Sequence, residues 1–186
     1  RLQIALPGCL PVPAAQAPLA IANDALPSAV AGFAATPTSL QQLWPAGEAE
    51  ARRRLAAFSN EQLEYYDQQR DLPARPGTSQ LSAYLAAGVI SPRQCLHAAL
   101  SNNRGEFDTG NPGAVCWINE LLWREFYKHI LVGYPRVSMH RAFRPNTEAV
   151  AWRDAPEELA AWQEGRTGIP IVDAAMQQLL TTGWMH

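Results

Sequence analysis

Residues 114–127 read AVCWINELLWREFY, and the fold turns on how that stretch is wound. On a helix at about 100° per residue it does not divide into an apolar stripe and a polar one. Trp117, Glu120, Leu121, Arg124, Tyr127 and Lys128 share one face; Trp123, Phe126 and Ile130 take the next, Ile118 and Leu122 a third. A helix that is apolar on every side is a buried helix. This one then carries Asn119, Glu120 and Arg124 inward, and buried charge is costly without a partner or a ligand. An i,i+4 ion pair from Glu120 to Arg124 on a solvated edge is the plainer alternative. Two tryptophans flanking the pair suit the wall of a pocket for something flat and polar.

The neighbouring sequence is helical too. The central helix is expected from about Gly113 to Val132, stopped by Gly133 and Pro135. Upstream, GEAEARRRLAAF (47–58) places acids in its first turn and arginines after them, which suits the helix dipole. Ser59-Asn60 is expected to cap a second helix, EQLEYYDQQR, ended by Asp71-Leu72-Pro73. A short helix opens at Gly77-Thr78-Ser79-Gln80-Leu81-Ser82 and closes at Gly88. Ser91-Pro92 starts another, running to about Asn102. SNNRGEFDTGNPG is a turn-rich loop. Downstream, residues 135–150 lack a period and form an ordered loop. Pro156 starts PEELAAWQEG, and Gly168-Ile169-Pro170 leads into IVDAAMQQLLTT, closed by Gly183. No alternating strand appears, and the expectation is an all-α fold of about seven helices.

Residues 1–45 differ in kind. They hold seven of the fifteen prolines, with one acidic and one basic residue, and read as an extended connecting segment packed on other structure. Residues 1–46 are therefore assigned as linker and 47–186 as helical domain. The opening RLQIALPGCLPVPAAQA imitates a secretory signal, but Pro7, Gly8, Pro11 and Pro13 break its apolar run. The chain starts at Arg1 without a Met and stops at Trp184-Met185-His186, straight after an apolar helix pattern, so it is expected to be an internal segment of a longer protein. No run of 18 apolar residues suggests a membrane span. Cys9, Cys95 and Cys116 are widely spaced, show no metal-ligand pattern, and suit a reducing, cytoplasmic compartment as small buried hydrophobes.

The formal net charge of −2 gives no reason to expect nucleic acid. The distribution is less neutral: Arg124 to Arg144 holds five Lys/Arg against one acid, with His129 and His140 besides. That run suits a phosphate-facing patch, or a solvated loop with scattered arginines. Thr78, Ser79 and Ser82 place hydroxyls and backbone N–H groups at a helix start, a geometry that suits a phosphate, although Ser and Thr are also ordinary caps. No Ser/His/Asp ordering, CxxC pair, HExxH or phosphate loop is present, and no metal is expected. His97, His129, His140 and His186 read as structural or surface residues.

Three stretches carry a resemblance: YYDQQRDLPARPGTSQLSAYLAAGVISPRQCLH (65–97), WINELLWREFYKHIL (117–131) and WQEGRTGIPIVDAAMQQLLTTGWMH (162–186). Together, and in this order, they are similar to the flavin-binding helical domain of the photolyase/cryptochrome family. The likeness is strongest to bacterial class I members that repair cyclobutane pyrimidine dimers. It covers roughly residues 45–186 and implies the linker and the first half of that domain. The α/β antenna domain, with a folate or deazaflavin chromophore, would lie before it. The second half would lie after His186 and supply an asparagine at the next position and acidic contacts to the isoalloxazine.

The resemblance also implies roles. Tyr66 matches a flavin-contacting tyrosine, and Thr78, Ser79, Gln80, Leu81 and Ser82 match the run that holds the FAD phosphates. Trp117 matches a tryptophan lining the cofactor cavity and Arg124 an arginine at the boundary of flavin and DNA. Glu120 matches the glutamate that hydrogen-bonds and can protonate the flipped dimer, and Trp123 the tryptophan on which the dimer stacks. Arg70 and Tyr127 fall at DNA-facing positions, and Trp152 matches the outermost tryptophan of the chain that reduces the flavin under light. The implied partner is DNA containing pyrimidine dimers, bound by a monomer. Rival expectations are a cryptochrome-type blue-light receptor, a (6-4) photolyase, and, outside the family, a cofactor-free helical DNA-binding module.

Overall fold

The computed structural model describes residues 10, 11, 14, 25, 27 and 30–186. The chain divides into two compact units, Arg1–Ala46 and Gly47–His186. Cys9 and the signal-like opening lie outside the described residues. In the first unit a short helix, α1 (Thr38–Leu43), follows Pro37. It falls in the stretch expected to be extended, since Pro37 sits where its missing N–H costs a helix nothing.

The second unit is helical, and no strand occurs among the described residues. Its elements are α2 (Glu48–Glu61), a 3-10 turn (Leu63–Tyr65), α3 (Tyr66–Gln69), α4 (Ser82–Ala86), α5 (Pro92–Asn102) and α6 (Pro112–Gly133). Two further 3-10 turns (Pro135–Met139 and Pro145–Ala149) lead to α7 (Pro156–Gln163) and α8 (Pro170–Thr182). Among the described residues no helix is long and apolar enough to cross a membrane.

The starts and stops follow local chemistry. Ser91 and Gln94 form a reciprocal capping box on α5, with Pro92 at its first position. Asn111 caps α6, its Oδ1 accepting from the Ala114 N–H at 2.8 Å, and Pro112 follows. Gly183 ends α8 in the left-handed region at φ 69°. One boundary differs from expectation. Ser59-Asn60 does not cap a new helix; α2 runs through both to Glu61. The Ala51, Leu55 and Phe58 face is buried, and Ser59 is buried with it, so packing overrides the capping preference of two polar residues.

The core lies where α6 packs on α3, α5 and the Leu63–Tyr65 turn, with α2 against α5 and the same turn. Phe58, Leu63, Ile90, Cys95, Ala99 and Ile118 are buried there. Gly113 is the point of closest approach: a Cβ on it would lie 2.2 Å from the Leu63 carbonyl oxygen and 2.6 Å from that of Glu64. The loop between α5 and α6 is held by one buried side chain. Asn103 donates to the carbonyls of Glu106 (2.8 Å) and Thr109 (2.7 Å) and accepts from the Asn111 N–H (2.7 Å).

The expectation that α6 is buried all round holds for its first half only. Ala114, Trp117 and Ile118 are buried, whereas Leu122, Trp123, Phe126, Tyr127, Leu131 and Val132 are exposed. The physical reason is reach: α3 and α5 are only 4 and 11 residues long and end while α6, at 22, continues.

Candidate functional site

The site is built on the middle of α6, the end of α3 and the start of α4. Tyr66 opens α3 and is buried, with its ring edge-on to Phe58 at 5.7 Å. Burial pushes its phenol up to about 12, so it stays a neutral hydroxyl. One turn on, the Arg70 guanidinium lies over the Tyr66 ring, 5.5 Å from its centre. Its Nη1 donates to Glu120 Oε1 and, at 3.4 Å, to Cys116 Sγ. The Glu120 contact is the first cause that holds the Arg70 pKa above its ordinary value; the Cys116 contact adds to it.

This pairing replaces the expected alternative. Glu120 does not reach Arg124 along its own helix; it crosses to Arg70 on α3. Cys116 lies four residues before Glu120 on the same face, so Arg70 meets both. Sequence reading places Cys116 only as a buried hydrophobe. Its i,i+4 spacing to Glu120 is the signal that could have marked it.

Arg124 points elsewhere. Its Nη2 donates to the Leu85 carbonyl at 3.0 Å, joining α6 to α4, and its Nε is buried without a partner. The Thr78–Ser82 run leads into α4, which starts without a side-chain cap. Leu81 and Tyr84 are buried and anchor the run, while Gln80 takes a left-handed φ of 51°. Gly77 lies against Gln69, where a Cβ would meet the Gln69 Cβ at 2.6 Å, so the run begins beside α3.

The tryptophans separate. Trp117 is 4% exposed and stacks at a tilt on Phe58, with centroids 4.9 Å apart. Trp123 is 53% exposed and forms an aromatic ledge with Phe126 (5.3 Å) and Tyr127 (6.0 Å). Trp152 is not part of this group. It is 89% exposed and lines a separate hollow with His140, Arg141 and Glu148. Much of the basic charge in the 124–144 run is taken up locally. Lys128 and His129 lie 3.4 and 3.8 Å from Glu125, and Arg136 and Arg141 lie 2.6 and 3.5 Å from Glu148. The net +4 of the run is thus a weaker phosphate attractor than its composition suggests.

Residues 117–186 match the model of the FAD binding domain of DNA photolyase. The deoxyribodipyrimidine photo-lyase of Escherichia coli is 51% identical over 77% of this chain, and that of Salmonella typhimurium 43% identical over all of it. The chain belongs to the photolyase/cryptochrome family. It spans 30% of the length of the first of these relatives and 38% of the second. Among solved structures, a class III photolyase from Agrobacterium tumefaciens superposes with a TM-score of 0.72 at 38% identity, over 80% of this chain and 30% of that one. A Synechocystis cryptochrome does so at 0.63 and 25% identity, over 76% and 29%.

The residues present fit the flavin nucleotide of that family. The start of α4 has no side chain of its own to satisfy its N–H groups, which suits a diphosphate. The buried, unpartnered Nε of Arg124 is a donor in want of an acceptor on the same side of α6.

Proposed function

We propose that the complete protein is a photolyase that repairs cyclobutane pyrimidine dimers in DNA with light, and that this chain contributes the dimer-handling wall of its FAD cavity. The observation that carries the reading is the pairing of an exposed Trp123–Tyr127 ledge with a half-buried Glu120 steered by Arg70. A lesion inside a duplex is out of reach, so it must leave the stack, at a cost of a few kcal/mol that is lowest for damaged bases. Stacking on Trp123 returns about 1–3 kcal/mol per base. Glu120 then presents its carboxyl to the polar edge of the flipped bases. Arg70, bonded to it, keeps that carboxyl in one orientation and sits at the DNA side with Tyr127.

Thr78, Ser79, Gln80, Leu81 and Ser82 would hold the FAD diphosphate, with Tyr66, Trp117 and Arg124 around the rest of the cofactor. When bound, the reduced flavin supplies the light-driven electron that opens the cyclobutane ring. Glu120 stabilises the negative charge that the dimer then carries, in a site where water is excluded and one hydrogen bond counts for more than in solution. Trp152 is the surface end of the path that reduces the flavin. We place the antenna chromophore, of folate or deazaflavin type, on a preceding domain, and the protein in the cytoplasm as a monomer.

Irradiation of the complete protein with a thymine-dimer oligonucleotide tests this directly; dimer loss that depends on light is the expected result, and no loss would refute repair. Trp123→Ala should weaken binding to dimer-containing DNA by about tenfold, a loss of about 1.4 kcal/mol, and leave undamaged DNA little changed. Equal losses on both would remove Trp123 from damage recognition. The likeness to a cryptochrome supports a second reading, a blue-light receptor. Such a protein would hold FAD and leave the oligonucleotide unrepaired.

A further inference from the structure

The Arg70 guanidinium is shared among Tyr66, Asp71, Cys116 and Glu120. Its face lies over the Tyr66 ring, 5.5 Å from the centre, and its Nε stands 3.5 Å from Asp71 Oδ1. Its Nη1 carries two hydrogens and donates to Glu120 Oε1 and, at 3.4 Å, to Cys116 Sγ. An arginine facing a carboxylate commonly grips both oxygens through parallel N–H bonds. Here it grips one. No donor among the described residues bonds Glu120 Oε2. The Glu120 side chain is 38% exposed, so the fold does not wall that second oxygen in.

The single grip has a structural cause. Cys116 and Glu120 lie one turn apart on α6, which sets sulfur and carboxylate side by side against Arg70. Sγ takes one hydrogen of Nη1, Asp71 draws Nε away from α6, and the Tyr66 ring supports the guanidinium plane. A sulfur is a weak acceptor, but here it only has to bias an arginine already held elsewhere. Without it nothing occupies that hydrogen, and the guanidinium is free to turn and take Oε2 as well.

We propose that Cys116 is a positioning residue: its sulfur limits Arg70 to a one-oxygen bond with Glu120 and so keeps Glu120 Oε2 open as the atom that meets the flipped bases. What Oε2 meets rests on the proposed function; how it is kept open rests on the contacts of Cys116, Arg70 and Glu120 alone. A carboxylate clamped at both oxygens would offer the polar edge of a base no unoccupied acceptor. Cys116 thus acts on the substrate only through Arg70 and Glu120.

The test uses the complete flavoprotein with Cys116→Val, which removes the sulfur at similar volume, and Cys116→Ser, which keeps an acceptor. Cys116→Ala serves in place of the valine variant if that one does not fold. Infrared spectra of protein isotopically labelled at the glutamate carboxyl are taken in the dark without DNA. Subtracting Glu120→Gln in each background isolates Glu120. A carboxylate bonded through one oxygen has unequal C–O bonds and widely split antisymmetric and symmetric stretches; a grip on both oxygens draws the stretches together. The splitting is expected to narrow in Cys116→Val and to return toward the parent value in Cys116→Ser. Timed irradiation with saturating thymine-dimer oligonucleotide should give a quantum yield about threefold to fivefold lower in Cys116→Val, most of it recovered in Cys116→Ser. Flavin content and melting temperature should stay near those of the parent, which separates positioning from a packing role. An unchanged splitting, or a yield that falls equally in Cys116→Val and Cys116→Ser, would overturn the proposal. Failure of the repair reading looks different: the parent would leave the oligonucleotide unrepaired while the dark splitting still narrowed in Cys116→Val.

Discussion

Glu120 is the residue on which the proposed chemistry converges, and its partner could not be read from α6 alone. Helical spacing puts Glu120 and Arg124 one turn apart, yet Glu120 bonds Arg70 and Arg124 bonds Leu85. Pairing across 50 positions depends on how α3 docks, which no local pattern encodes. The identities of both charged residues, and the need for each to have a partner, were legible. Because Glu120 lies at the rim and Arg124 secures α4 separately, the two should be separable by mutation. In the complete protein, Glu120→Ala is expected to lower the quantum yield of repair by about tenfold while flavin content stays near that of the parent. Absorbance of the purified protein measures the flavin and timed irradiation the yield; a collapse of flavin content would show that Glu120 supports the cofactor.

At the scale of elements, the helix boundaries were legible wherever a cap and a proline mark them, as at Ser91-Pro92. Asn111-Pro112 carries the same signal and sets the start of α6. The start of α3 was not, because Ser59-Asn60 resembles a cap while burial on the α2 face decides otherwise. The crossing at Gly113 belongs to this scale. Gly113→Ala would drive a methyl into the Leu63 and Glu64 carbonyls, and should destabilise the protein by about 2–3 kcal/mol in urea unfolding. Since α3 follows directly, carrying Tyr66 and Arg70, flavin content is expected to fall as well. The first turn of α2 offers a pH test. Hydrogen bonds from Arg53, then Arg54, lower Glu50 to about 2 despite its desolvation. Its folded value lies below the ordinary 4.5, so its contribution is complete above that pH and is lost as pH falls toward 2. Glu50→Gln should cost about 1 kcal/mol at neutral pH, and the difference from the parent should close across that window in acid-titrated unfolding curves.

For the molecule as a whole, the all-helical class and the order of helices were legible from periodicity and caps, and the family from three long motifs. What could not be read was the uneven burial of α6, since periodicity reports which faces are apolar and not whether anything covers them. The exposed run from Leu122 to Val132 and the open side of Thr78–Ser82 leave one side of the proposed cavity to solvent in this chain. The 186-residue chain by itself is therefore expected to bind FAD more weakly than about 1 µM, measured by fluorescence titration, where the complete protein retains it through purification. Sub-micromolar binding would mean that the α3, α4 and α6 side suffices.

α6 is gripped at Gly113 and Trp117 and is braced beyond Leu122 chiefly by the Arg124–Leu85 bond to α4, with its Trp123, Phe126 and Tyr127 side chains exposed, which makes it a propped cantilever. From Gly113 to Val132 it reaches about 29 Å at the helical rise. A tilt of one degree at the clamp swings the tip by about 0.5 Å, and Trp123, midway along, by half as much. Such displacements are the tolerance within which catalytic groups must be held. Tuning the aim of the ledge is thus a matter for the packing under the clamp, far from any base or flavin, and substitutions around Phe58 and Leu63 would adjust it without touching the reacting groups.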